Sequence, residues 1–311
     1  MATRLSRRLT PLALLTAVLA AVPGPYDGAR AAVPGKNGRI AFVRSAGAGP
    51  LEEVFLVSPA SGLTANLTSD PFTSDTAPSW SPDGTRVAIQ RSGPVGGIWV
   101  LDPVAKTMGF VPHTEHGFQP TWSPDGSWIA FSRDVGGDAE LWKVRADGSD
   151  LTQLTNNADE DWEASWSPDG SRLAFTREGP GGSTNIMVLT LGGGVEAAVT
   201  PAGGFDQAPD WSPDGTRIAF NRFLPGEGNR IFTVAPGGKG LTQVTFGGGP
   251  TAFNDVHPSW SPDATRIAFA RGGDQDDGLP FHVHTVSLVS GRTSQVTTGK
   301  VQDLMPSWQP L

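Results

Sequence analysis

Cysteine is absent from this 311-residue chain, tyrosine occurs once and histidine five times. An exported protein of this sequence has no disulfide to staple it and no lipidated cysteine to tether it, so packing must supply its stability. Helical periodicity is missing beyond the first thirty residues, which leaves strands and turns to build the fold. The one long apolar run, Leu12 to Val22, is too short to cross a bilayer of roughly 30 Å. No Gly-x-Ser-x-Gly elbow occurs, and Gly182-Ser183-Thr184 lies in a loop, so a serine hydrolase is excluded.

Arg4, Arg7 and Arg8 precede that apolar run, and Ala29-Arg30-Ala31 places small residues where a signal peptidase reads them. Residues 1–31 are therefore expected to be a signal peptide and 32–36 a short linker. Export to the periplasm, the cell envelope or the medium follows, with no membrane span after cleavage. Ser6-Arg7-Arg8 leaves the Sec and twin-arginine routes both open. Cleavage takes four arginines and one aspartate from the 23 basic and 31 acidic side chains, leaving a formal charge of −11. That balance excludes a nucleic-acid partner, whose phosphates require a basic face.

What the chain does have is a repeat. Trp-Ser-Pro-Asp begins at Trp80, Trp122, Trp166, Trp211 and Trp260, and Trp308-Gln309-Pro310 is a cut-off sixth copy. The tryptophans are 42 to 49 residues apart, the period of a small antiparallel sheet that cannot bury its faces alone. The 40 glycines and 27 prolines match short strands joined by tight turns.

Aligned on tryptophan, the copies share an Asp five residues earlier, a Pro-Asp-Gly turn and Arg-Ile-Ala-Phe-x-Arg. Proline presets the first turn dihedral, aspartate bonds back to the backbone, and glycine takes the left-handed conformation. These features predict a three-residue hairpin in which Ser81 faces Thr85. Ala264 replaces the glycine in the fifth copy, which implies strain of about 1 kcal/mol or a different turn. The same register sets Trp80 opposite Arg86, and Arg172, Arg217 and Arg266 opposite Trp166, Trp211 and Trp260, for stacking of guanidinium on indole. It also pairs Asp75 with Arg91, Asp161 with Arg177, Asp206 with Arg222 and Asp255 with Arg271. Their recurrence in successive copies marks them as structural salt bridges.

A third strand such as 97–101 and a fourth such as 151–155 complete a four-stranded blade. Residues 37–67 supply three strands without a tryptophan strand, and 303–308 supply only that strand. Joined, they set Asp303 opposite Arg44 and Trp308 opposite Arg39. The expected fold is all-β, a six-bladed propeller over 37–311, closed by the C-terminal strand completing the first blade.

The stretch Pro78-Ser79-Trp80-Ser81-Pro82-Asp83-Gly84-Thr85-Arg86-Val87-Ala88-Ile89, with its counterpart at 209–220, resembles the repeat of TolB-type six-bladed propellers. The resemblance spans 37–311. The expected protein is a monomeric, non-catalytic binding or scaffolding module that contacts an envelope or extracellular protein, peptidoglycan or a saccharide through its acidic loop face. No cofactor is expected. Oligogalacturonate-lyase-like propellers, which bind a metal through several histidines and one glutamine, supply the alternative. It is a metal-assisted carbohydrate lyase or hydrolase, with donors among His113, His116, His257, His282 and His284.

Site residues are sought where the repeat breaks, on the loops that join second to third strands and lead into the next blade. In the Trp122 copy, Gly117 stands where Asp is expected, so Arg133 lacks its partner and His116 lies beside the gap. His257 precedes Trp260, three blades away, and is expected to face His116 across the channel mouth. Asp134, Asp138, Glu160, Glu178, Asp274, Asp276 and Asp277 make the loop face acidic. Asp274-Gln275-Asp276-Asp277-Gly278 reads as a solvated acidic loop, with calcium or another divalent cation as the alternative.

Overall fold

The computed structural model describes residues 35–45, 51–70, 72–93, 96–179, 181–247, 253–273 and 279–311. The expected signal peptide and the acidic run containing Asp274, Asp276 and Asp277 lie outside the described residues. Among those described, 24 strands form six four-stranded antiparallel sheets.

The first blade contains β1 (Asn37–Ser45), β2 (Glu52–Val57) and β3 (Thr64–Asn66); the second β4 (Asp75–Trp80), β5 (Val87–Arg91), β6 (Gly97–Asp102) and β7 (Thr107–Phe110). The third contains β8 (Gly117–Trp122), β9 (Trp128–Val135), β10 (Asp138–Arg145) and β11 (Thr152–Gln153). The fourth contains β12 (Glu160–Trp166), β13 (Arg172–Glu178), β14 (Thr184–Thr190) and β15 (Val195–Ala198). The fifth contains β16 (Asp206–Trp211), β17 (Ile218–Leu224), β18 (Gly228–Val234) and β19 (Thr242–Gln243). The sixth contains β20 (Asn254–Trp260), β21 (Arg266–Gly272), β22 (His282–Ser287) and β23 (Thr293–Gln295). The last strand, β24 (Asp303–Pro310), pairs with β1 and becomes the inner strand of the first blade, so the ring closes.

The core lies between blades. Ile218, Phe220 and Trp211 of the fifth blade pack against Ala174, Ile186 and Val188 of the fourth. Ala219, pointing the other way along the same strand, meets Trp260 of the sixth. The two-residue alternation of a strand thus turns Ile-Ala-Phe into a device with a large face and a small face, the small one leaving room for the next tryptophan. The same arrangement recurs at all six interfaces, including the one where Trp308 and Phe42 meet Ala268 and Val283. The outermost strands are short because a threonine finishes their work. The Oγ1 atoms of Thr68, Thr114, Thr155, Thr200, Thr245 and Thr297 each accept a hydrogen bond from a third-strand amide at 2.9 to 3.1 Å.

The hairpin register differs from the expected one in a way that leaves the ion pairs intact. Ser81 N donates to Arg86 O and Gly84 N to Ser81 O, so the loop has four residues, Pro82 to Thr85, and Trp80 faces Val87. Farther along, a bulge at Ala77 and Pro78 absorbs one residue, and Asp75 again faces Arg91. All six inner strands bulge at this height. The bulge residue is left-handed in each: Ala77, Gln119, Glu163, Ala208, His257 and Met305 have φ between 47° and 57°. Proline follows in five of the six. It cannot donate to the ladder, and a bulge on a strand whose other edge faces the channel is where it is tolerated. By the same shift, Trp166 faces Leu173, Trp211 faces Ile218, Trp260 faces Ile267 and Trp308 faces Ile40, in place of the arginines expected.

The arginine stacking is therefore corrected. Each tryptophan looks back at the preceding blade, and at Trp122 and Trp211 the guanidinium that covers the ring comes from there. Arg86 lies 4.8 Å from the Trp122 ring and Arg172 lies 4.7 Å from the Trp211 ring. Arg217 instead donates to Gly240 O at 2.8 Å. Trp128, which replaces this arginine in the third blade, packs with the Trp166 cluster and carries Lys143 and Arg145 over its own ring at 4.1 and 4.6 Å.

Ala264 adopts φ 56° and donates its amide to Ser261 O at 2.8 Å, so the turn keeps its shape and carries the strain. Ala264→Gly is expected to stabilise the protein by up to about 1 kcal/mol, less the extra unfolded-chain entropy of glycine. Chemical denaturation checks this: an unchanged or lower midpoint would show that the turn is relaxed.

Candidate functional site

The Asp–Arg pairs lie inside the blades and do not line the channel. Four are two-pronged: Arg44 on Asp303 at 2.7 and 2.9 Å, Arg177 on Asp161 at 2.7 Å twice, Arg222 on Asp206 at 2.7 Å twice, and Arg271 on Asp255 at 2.6 and 2.7 Å. The fifth has slipped. Arg91 Nη2 donates to Asp70 at 2.8 Å and to Thr73 at 2.7 Å, leaving Asp75 an ionic contact of 3.0 Å with Nε in place of the two-pronged pair. Burial pushes the Asp75 carboxyl up to about 7, against the pull of Arg91.

In the third blade, Gly117 cannot be an aspartate. A Cβ there would sit 2.7 Å from the ring of Phe131, a fully buried core residue, and 2.9 Å from Thr114 O. Arg133 is not orphaned by this. Its guanidinium covers Trp142 at 5.5 Å and donates to His113 O at 3.5 Å. His113 and His116 lie on the loop before β8, both at least partly open to solvent.

His257 occupies a different place. It is the bulge residue of β20 and lines the central channel, so the expected pairing of His116 with His257 across one site does not occur; the third-blade counterpart of His257 is Gln119. His282 Nδ1 lies 3.6 Å from Asp303, and His284 stacks on Phe269 at 5.9 Å. Among the described residues, no group of three or more His, Cys, Asp or Glu side chains is arranged to hold a metal ion.

The channel is walled by the inner strands, and its loop-side half is a cavity of about 160 Å³. Two rings of side chains line it, the bulge residues and, one step deeper, Ser79, Thr121, Ser165, Asp210, Ser259 and Ser307. In the deeper ring, hydroxyls bridge blades: Ser79, Ser165 and Ser259 accept from the amides of Trp122, Trp211 and Trp308 at 3.1 to 3.3 Å. Asp210 breaks the ring. Its carboxylate accepts from Ser165 Oγ of the fourth blade at 3.1 Å and from Trp260 N of the sixth at 2.7 Å. Burial pushes its carboxyl up to about 6, against those hydrogen bonds.

In the bulge ring, Glu163 Oε2 accepts from Thr176 Oγ1 at 3.0 Å and from Ala208 N at 2.8 Å, and Gln119 meets Oε1 at 3.5 Å. Desolvation lowers the pKa of His257, outweighing the pull of Glu163, so the imidazole is neutral at pH 7. The bulge ring is thus polar at Gln119, Glu163 and His257 and apolar at Ala77, Ala208 and Met305, with Asp210 supplying the fifth blade's polar group in the deeper ring.

A second feature sits on the loop face. Glu160 and Glu178 face each other across β12 and β13. Asp134 and Asp138 come from the β9–β10 hairpin, and Asp134 accepts from Gly137 N at 2.9 Å. Partial desolvation, then repulsion by Glu178, Asp138 and Asp134, raises the Glu160 pKa. Among the described residues none of these four carboxylates has an ion-pair partner. Beside them, Thr184 bridges to Phe205, whose ring meets Phe223 edge-on at 6.2 Å with both aromatics exposed.

The family model described as the TolB beta propeller domain matches residues 37–200 and 164–311. The chain belongs to that family. Its fold is similar to that of TolB from Acinetobacter baumannii, with a TM-score of 0.73 at 21% identity over 88% of this chain and 67% of that one. It is also similar to a putative TolB from Agrobacterium tumefaciens, with a TM-score of 0.70 at 22% identity over 89% and 92% of the two chains. An oligogalacturonate lyase in complex with manganese aligns with a TM-score of 0.51 at 14% identity, covering 85% of this chain and 74% of that one. At these identities the likeness is one of fold. No curated protein sequence matches.

In this TolB-family propeller, the channel residues Gln119, Glu163 and Asp210 are the ones that a search of loops overlooks. The signal for them is present in the repeat. The residue before each tryptophan is Ser or Thr except at Asp210, and the residue three before it is apolar or small except at Gln119, Glu163 and His257.

Proposed function

We propose that this protein is an exported, non-catalytic binding propeller of the cell envelope, which engages a partner protein through the acidic rim of its loop face. The observation that carries the reading is the Glu160 and Glu178 pair. Like charges directly opposite on neighbouring strands are destabilising, and here Asp134 and Asp138 add to them without a compensating cation among the described residues. A basic surface on a partner would supply the missing charge, and the exposed Phe205 and Phe223 beside the rim offer it an apolar anchor. Export is supported by the charged and apolar pattern of residues 1–31.

The test is capture from an envelope extract at low salt and at roughly 0.5 M salt, with the native chain and with Glu160→Gln combined with Glu178→Gln. A specific protein should be retained by the native chain, released by salt, and lost from the variant by roughly tenfold or more. The variant should melt at the same temperature or slightly higher. Equal capture by both chains would remove the acidic rim from the interface, and cell fractionation that leaves the protein in the cytoplasm would remove the envelope assignment.

A further inference from the structure

We propose that the loop-side half of the channel is a binding site for one organic cation on an aliphatic stem, of alkylammonium or guanidinium type. Such a group occurs in a lysine or arginine side chain and in a free polyamine. The site is distinct from the acidic rim. It lies inside the ring, where the sixfold repeat is broken on one side only.

The cavity of about 160 Å³ holds the volume of a few water molecules, which suits a slim chain and not a folded partner. Its wall is two-sided. Glu163 and Asp210 carry the negative charge, with Gln119 beside them as an acceptor and neutral His257 completing that half. Ala77, Pro78, Met305 and Pro306 on the opposite half offer an aliphatic surface along which a methylene stem can lie. Among the described residues no lysine or arginine lines the cavity, and neither Glu163 nor Asp210 has an ion-pair partner.

Each carboxylate keeps spare acceptor capacity. Asp210 uses its two oxygens for one protein hydrogen bond each, and Glu163 receives two on Oε2 and a long contact on Oε1. Two carboxylates left without a cation in a confined space are unfavourable, and a bound cation relieves them. The donors are not grouped around a single point as a metal ion would require. A guanidinium spreads its N–H groups over several angstroms, and an alkylammonium carries three on a nitrogen that its stem can position, so either can serve acceptors that do not converge on one point.

Calorimetric titration of the full-length mature protein tests this with cadaverine, with agmatine and with the capped tripeptide acetyl-Gly-Lys-Gly-amide, alongside pentanol and calcium chloride. At least one organic cation should bind at millimolar concentration or below, and pentanol should not. Binding of the amines without the tripeptide assigns a free polyamine, and binding of the tripeptide without the amines assigns a side chain of a partner; either supports the site. Glu163→Gln with Asp210→Ser, the latter restoring the ring residue of other blades, should weaken binding by roughly tenfold or more. Met305→Lys, which supplies a tethered ammonium, should abolish it without removing a carboxylate. Glu178→Gln on the rim should leave it unchanged, so this test and the rim test fail independently. The proposal is overturned by no organic-cation binding, by equal binding of pentanol, by binding of calcium alone, or by undiminished affinity in both channel variants.

Discussion

Deletion of β24 should lower the melting temperature by more than roughly 10 °C or prevent folding outright. This strand supplies the inner edge of the first blade and ties together residues far apart in the chain. Trp308 is buried among Ile40, Phe42, Val57, Ala268 and Val283, so its loss opens the interface between the sixth and first blades. Asp303 is the two-pronged partner of Arg44, whose Nε approaches to 2.7 Å. The amide of Trp308 donates to Ser259 at 3.2 Å, Gln309 donates to Gly84 O at 2.8 Å, and Arg39 N donates to Gln309 at 3.1 Å. Burying one tryptophan contributes about 3 kcal/mol or more and breaking the ion pair costs a similar amount. Together they are a large fraction of the roughly 5 to 15 kcal/mol that holds a typical domain. Calorimetry and circular dichroism on the truncated chain decide it. A melting temperature within a few degrees of the full chain would mean that the ring does not depend on closure.

Two errors of register cancelled in reading the hairpins from sequence. Ser-Pro-Asp-Gly-Thr is compatible with a three-residue loop, yet the hydrogen bond from Ser81 N to Arg86 O makes the loop one residue longer. The bulge at Ala77 and Pro78 takes that residue back, so Asp75 and Arg91 still meet while Trp80 and Arg86 do not. Proline two residues before the tryptophan in five copies is the trace of the bulge, since proline inside a strand marks an edge or an irregularity. Blade number and closure were legible because they follow from counting strands. Which side each tryptophan faces was not, because that depends on how neighbouring blades pack. The third blade shows the same limit: Gly117 signals a missing carboxylate, but only the position of Phe131 explains why no side chain fits there.

Loss of a two-pronged pair and loss of the slipped pair should have opposite consequences. Asp206→Ala leaves Arg222, held by two bonds of 2.7 Å to that carboxylate, without its counterion. Removing one partner of a buried ion pair costs about 3 to 5 kcal/mol. Asp75→Asn should cost little, because Arg91 retains Asp70 and Thr73. The two substitutions also differ in pH dependence. Burial raises the Asp75 carboxyl from 3.8 to about 7 in the folded protein, so the native state holds the proton more tightly than the unfolded chain does. Stability contributed by this group is therefore full below about pH 4 and falls as pH rises through about 7, by something on the order of 2 to 4 kcal/mol. The amide introduced by Asp75→Asn carries no charge at any of these values. The variant should gain stability relative to the native chain at pH 8 and lose that advantage at pH 5, measured by urea unfolding at each pH. Asp210, raised to about 6, adds a smaller slope of the same sign that Asp75→Asn leaves in place. A stability difference between native and Asp75→Asn chains that is equal at pH 5 and pH 8 would show that Asp75 is already ionised and paired across that range.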